Sequence, residues 1–385
     1  MAILRSRSTE TWPLLSAGFR PFFMAAGLWA CVSMATWLLV LRGLIDLPTI
    51  WAPVTWHLFG FVGAAIAGFL LTAIPNWTGR LPIQGWPLGS LVLLWILGRI
   101  AVAISAWTGA PFAIVADLAF LTVFAFVVGR EIVGGRNWRN VPVVIAVVLL
   151  IAANAMIHAG AFDYPGWEAA GKRLAISVVV MLIALIGGRI IPSFTTNWLR
   201  LQKKTLFPVP FGAFDQATLA VSALALGAWA AFGVNALSGG ALIVAAAAHA
   251  VRLARWRGGA TLREPLLWIL HVGYAWLPVG LLLLGSAAWF PTLATTALHA
   301  LTVGAVGTMI LAVMTRATLG HSRQDLTAGH GTVAVYVLVL AAAISRVVAP
   351  SLDTHYGVVV EIAGVAWIAA FGLFLVLYIR LYFRR

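Results

Sequence analysis

The segment "TALHALTVGAVGTMILAVMTRATLGH", residues 296–321, runs from Thr296 to Thr315 without a Lys, Arg, Asp or Glu. A helix rising about 1.5 Å per residue crosses a hydrocarbon core of about 30 Å with about 20 such residues. The segment therefore reads as a membrane span. It carries an imidazole, His299, part of the way in from its outer end. A polar ring in that position is costly and is by default a candidate for function.

The rest of the chain has the same character. Of its 385 residues 62% are hydrophobic and 9% charged, and the mean hydropathy is +0.99; a soluble domain has about 25% charged residues. The polar start, with Arg5 and Arg7, leads into an apolar run with no small-residue cleavage site after it, so a removed signal peptide is not expected. Cys31 is the one cysteine, which excludes an internal disulfide, a thiolate metal cluster and covalent CxxCH haem attachment. Any metal must be held by nitrogen, oxygen or thioether. The net charge of +14 follows from Lys and Arg in membrane loops. No basic patch is interleaved with exposed aromatics, so no nucleic-acid partner is expected.

Twelve spans of this kind are expected, near 19–42, 54–75, 87–107, 110–129, 141–160, 173–192, 213–235, 238–254, 265–287, 291–316, 331–348 and 357–379. This is an all-α polytopic membrane protein, read as a single twelve-helix transmembrane domain over residues 1–385. If the N-terminus is cytoplasmic, 20 of the 25 Lys and Arg fall on the cytoplasmic side. Only Arg42, Lys172, Arg173 and Arg346 fall opposite, with Arg99 inside the third span, so both termini are expected inside. Tryptophans near segment ends, Trp12, Trp51, Trp56, Trp86, Trp107, Trp138 and Trp256 among them, suit interfacial belts. Pro75 and Pro192 fall where proline would stop a helix without breaking it. The second, sixth and tenth spans end alike, in "LLTAIPNWTGR", "IGGRIIPSFTTNWLR" and "LAVMTRATLGH", a faint repeat compatible with three four-helix arcs.

Histidine is the richest set of intramembrane polar groups. His57, His158 and His299 share the outer half, while His249 and His271 form an inner-half pair. His321, His330 and His355 are assigned to loops. A neutral imidazole in a helix can satisfy both nitrogens with a hydroxyl or a carbonyl, and that reading stands beside metal ligation for His158, His249 and His271. His57 and His299 lie on helices of the same direction at similar depth, each followed by small residues, "HLFGFVGAAIAG" and "HALTVGAVG". Such a face is either a helix-packing seam or room for a planar ligand such as haem, which two neutral imidazoles hold without cysteine chemistry. Arg99, Arg189 and Arg316 could anchor propionates or anions through the guanidinium fork, although Arg189 and Arg316 are near enough to the inner ends to snorkel. Asp117 and Glu361 could pair with Arg99 or carry protons. No phosphate-binding loop, dinucleotide fingerprint, HExxH or loop-borne Ser/His/Asp set is present, so any chemistry lies inside the bundle.

"GFRPFF" at 18–23, "LFGFVGAAIAGFLLTAIPNWTG" at 58–79, "RIIPSFTTNWL" at 189–199 and "HALTVGAVGTMILAVMTRATLGH" at 299–321 are long motifs spread over essentially the whole chain. In them the chain resembles the NnrS family of bacterial haem- and copper-containing membrane proteins. The resemblance implies a twelve-helix protein of the bacterial inner (cytoplasmic) membrane that binds haem and copper and serves in denitrification and defence against nitric oxide and nitrosative stress. More distantly the chain is similar to subunit I of haem-copper oxidases, whose second and tenth helices hold haem through histidines, an analogy at the level of fold. It departs from the family at "WAPVTWHLFGF". There His57 stands alone, with Thr55 and Trp56 where further ligands would be expected, and the sixth span has no histidine. A copper site is short of donors on this count, since His158 is the one further imidazole at that depth.

The expectation is thus a haem b protein acting on nitric oxide in the lipid bilayer, by binding, sensing or turning it over. His57 and His299 would be axial ligands, Arg99 a cofactor contact, and His158, His249 and His271 further metal candidates. A quinol or other redox partner is the expected electron source. Two alternatives belong to other classes. One is a haem-free transporter of a small solute or metal ion, with Arg99, Asp117 or Glu361 as coupling groups. The other is an electron-carrying or assembly partner of a larger nitric oxide or copper enzyme.

Overall fold

A computed structural model describes residues 11–47 and 55–384; Arg5, Arg7, Trp51 and Arg385, which enter the charge and aromatic patterns, lie outside the described residues. Twelve main helices follow in order: α1 Phe19–Leu41, α2 Trp56–Thr78, α3 Trp86–Ala103, α4 Ala110–Gly134, α5 Val141–His158 and α6 Pro165–Leu201. Then come α7 Ala213–Phe232, α8 Ala236–Ala254, α9 Pro265–Ser286, α10 Leu293–His321, α11 His330–Val348 and α12 Tyr356–Phe383. No strand occurs among the described residues. Proline in the first turn of α3, α4, α5 and α9 sets the helical φ where no N–H partner is needed. At α8, Asn235 caps the Leu237 and Ser238 N–H groups, both at 3.0 Å.

Among the described residues, eleven helices are long and apolar enough to cross a membrane. The seventh expected span is present as α7, but Asp215 and Gln216 in its first turn interrupt the apolar run. Pro192 lies inside α6 and Pro75 inside α2, so neither ends its helix as the sequence suggested. The 37 residues of α6 are about 55 Å long, well beyond the hydrocarbon core, so hydropathy marks its apolar middle and not its ends. Two tryptophans expected in the interfacial belts are interior. Trp56 is 3% exposed against Trp29, and Trp256 is 2% exposed against Tyr274. His321 closes α10 and His330 opens α11, whereas loops were expected at both.

The chain packs as two units, residues 1–168 with 374–385, and residues 169–373. In the first, α1 packs on α2, and α4 lies between α3 and α5. Its interior is aromatic, with Phe22 against Phe120 and Phe120 stacked on Phe124. In the second, α8 packs on α7 and α9, and α9 on α10. Its core joins Leu226, Leu242, Leu281 and Leu301 through small residues such as Ala225 and Ala245. A Cβ on Gly239 of α8 would stand 2.7 Å from the Gly285 carbonyl of α9, so these backbones touch as only small residues allow.

Candidate functional site

Two stretches of π-helix occur among the described residues, and each adjoins an imidazole singled out by the sequence. α2 opens as a π-helix over Trp56–Phe61, which contains His57, and α10 becomes π-helical over Ala300–Gly307, directly after His299. A π turn bonds i to i+5, widens the helix and re-aims side chains, and it is enriched at functional sites. His57 belongs to the first unit and His299 to the second.

His299 is half-buried, with Nδ1 2.7 Å from the Thr295 carbonyl oxygen. A carbonyl only accepts, so Nδ1 carries the ring proton and Nε2 keeps its lone pair. Backbone bonds of this kind set the tautomer of metal-ligating histidines. Around His57 the polar contacts are fixed by indoles. Trp29 Nε1 donates to the Trp56 carbonyl at 3.0 Å, and Trp95 Nε1 donates to the Gly60 carbonyl at 3.1 Å. The Ser33 hydroxyl donates to the Trp29 carbonyl at 2.6 Å and stands 3.4 Å from His57 Nε2, at the long end of hydrogen bonding.

The glycines beside the two histidines serve as packing seams. Gly60 faces Trp29, Gly304 faces Trp276 and Gly307 faces Trp367. A Cβ on Gly60 would run into the Trp29 indole, so Gly60→Ala should displace the ring that caps the π turn and cost about 1–3 kcal/mol by overpacking. Gly63 has nothing nearer than Phe120 Cε1 at 3.9 Å, and Gly63→Ala should be tolerated. Thermal unfolding in detergent checks this pair, and equal melting temperatures would refute the assigned role of Trp29.

Arg99, Asp117, Asn154 and His158 form a buried cluster in the first unit. Arg99 Nη2 pairs with Asp117 Oδ1, while Asn154 Nδ2 and His158 Nε2 donate to Asp117 Oδ2 at 2.9 and 3.0 Å. The four residues are at most 3% exposed. Arg99 thus neutralises Asp117, one of the two pairings the sequence left open for it. Arg316 lies over the Phe194 ring, 4.2 Å from its centroid.

The inner-half histidines have separate partners. His271 Nε2 is 3.0 Å from Thr195 Oγ1. His249 joins a network whose proton directions can be assigned in turn. Ser222 donates to the Thr218 carbonyl at 2.7 Å, so it accepts from His249 Nε2–H at 2.8 Å; His249 Nδ1 then accepts from the Tyr274 hydroxyl at 2.8 Å. Tyr274 in turn accepts from Arg252 Nη1 at 3.1 Å, and Arg252 Nε donates to Asp215 Oδ1 at 2.8 Å. Both nitrogens of His249 are therefore occupied. Among the described residues no three His, Cys, Asp or Glu side chains gather as a metal-binding group.

A family model described as "NnrS protein" matches residues 13–385, nearly the whole chain. The chain belongs to the NnrS family. None of the curated proteins matches it. Asn154, Asp215, Ser222 and Tyr274 were not singled out from the sequence. Asn154 could have been, because it precedes His158 by four residues and so shares its helix face. Asp215 had the signal of a carboxylate within an expected span.

Proposed function

We propose that this multi-pass membrane protein of the NnrS type binds haem b and acts on nitric oxide in the bacterial inner membrane, with His57 and His299 each a candidate nitrogen donor. The observation that carries this reading is the Nδ1–H bond from His299 to Thr295 at the start of a π-helical run, which fixes the imidazole with Nε2 as its lone-pair nitrogen. The cofactor, when bound, supplies a redox-active iron able to take up a small gas. The chain supplies the rest. Its apolar helices give nitric oxide, a small apolar molecule, a route through lipid. The Asp117 cluster holds charge in the first unit without exposing it, and a redox partner such as quinol would deliver electrons.

The test is spectroscopic. The full chain, purified in detergent, should carry stoichiometric haem b with sharp reduced bands that shift when nitric oxide is added to the reduced protein. Haem that is present but blind to nitric oxide would turn the reading toward electron transfer. A chain purified without haem would overturn it and favour a haem-free transporter.

A further inference from the structure

In the second unit the loop after α6 and the loop between α8 and α9 are tied together, with the Val209 N–H donating to the Arg255 carbonyl at 3.1 Å. Beside them opens a cavity of about 760 Å³. Its walls are largely aliphatic, Leu199, Leu253 and Val272 among them, and two cations, Lys204 and Arg257, line it with no acidic residue. Leu206 and Leu262, which also line it, are 66% and 72% exposed. His271 contributes a buried polar atom. The residue is 7% exposed, its Nε2 is engaged by Thr195, and its Nδ1 has no hydrogen-bond partner. Arg257 takes a left-handed φ of 62°, which brings Gly258 against this ring; a Cβ on Gly258 would lie 2.8 Å from Nδ1.

An unpartnered buried nitrogen calls for a ligand atom or a water. A single occupant has to meet three conditions: negative charge for Lys204 and Arg257, a hydrogen-bonding group for His271, and apolar chains for the leucines. We propose that the cavity holds the phosphate-bearing headgroup and upper acyl chains of an anionic phospholipid from the surrounding bilayer. Basic pockets between helix ends recognise such headgroups. A soluble anion would gain nothing from the aliphatic walls, and a zwitterionic lipid would bring an amine against two cations. The proposal does not depend on haem.

Native mass spectrometry of the full chain tests it, with phosphatidylglycerol or phosphatidylcholine added and inorganic phosphate as competitor. Phosphatidylglycerol should be retained about tenfold better than phosphatidylcholine, in line with two surface cations. Lys204→Gln with Arg257→Gln should bring the two lipids to parity, and Lys204→Arg with Arg257→Lys should keep the preference. Both side chains are exposed, so the substitutions leave the fold intact. Equal retention by the unaltered chain, a preference that survives charge removal, or displacement of the lipid by inorganic phosphate would each overturn the proposal.

Discussion

Arg252→Met is expected to destabilise the second unit by about 3–5 kcal/mol, the range for removing one partner of a buried ion pair. The guanidinium is fully buried and bonds Asp215 of α7, the Ala184 carbonyl of α6 at 2.8 Å and Tyr274 of α9, while itself belonging to α8. One side chain therefore ties four helices. It also lies over the Trp256 ring, 5.3 Å from the centroid, and fits because position 188 is glycine, where a Cβ would strike the guanidinium. The substitution leaves Asp215 charged and buried without the cation that bonds it. Arg255, 3.6 Å from Asp215 Oδ2 and partly exposed, cannot replace three directed bonds. Removing both charges should be milder. In a double-mutant cycle, Arg252→Met with Asp215→Leu should recover much of the loss, because no lone charge remains in the interior. Thermal unfolding in detergent reads all three variants. Strict additivity, or a melting temperature unchanged in Arg252→Met, would show that the pair does not hold the four helices.

Much of this architecture was legible in the sequence, and the reasons differ by feature. Spans such as α5 and α8 follow from apolar runs bounded by Gly, Pro or charge, and their ends fall within a few residues of expectation. α6 does not, because a helix continues through Pro192 as long as its neighbouring turns hold, and hydropathy is silent on hydrogen bonding in the polar "TTNWLRL" turn. The interior positions of Trp56 and Trp256 were hidden for a related reason. Position along a helix gives depth in the membrane but not the face turned toward a neighbour. The π runs lie beyond hydropathy altogether, since bonding to i+5 in place of i+4 leaves composition unchanged. A trace was present in glycines three apart after each histidine, Gly60 with Gly63 and Gly304 with Gly307. Three of these four meet an aromatic ring closely, so their spacing marks where aromatic side chains enter the seam.

His299→Ala is expected to abolish haem retention, while His355→Ala, at the end of a short 3-10 turn, should leave it unchanged. The Thr295 bond sharpens the contrast between a ligand and a structural histidine. In a purely structural role the imidazole would contribute one hydrogen bond to a carbonyl four residues earlier, worth about 1 kcal/mol, and its loss would lower the melting temperature slightly while sparing any cofactor. If the ring instead holds the iron, its removal would release the haem while leaving the fold in place. His299→Gly therefore adds a decisive measurement, because free imidazole can enter the space left by the side chain. Restored haem content and a restored Soret band on adding imidazole would assign the nitrogen as donor, independently of any change in stability. Haem content undiminished in His299→Ala would remove the residue from the site, whatever the fate of nitric oxide binding.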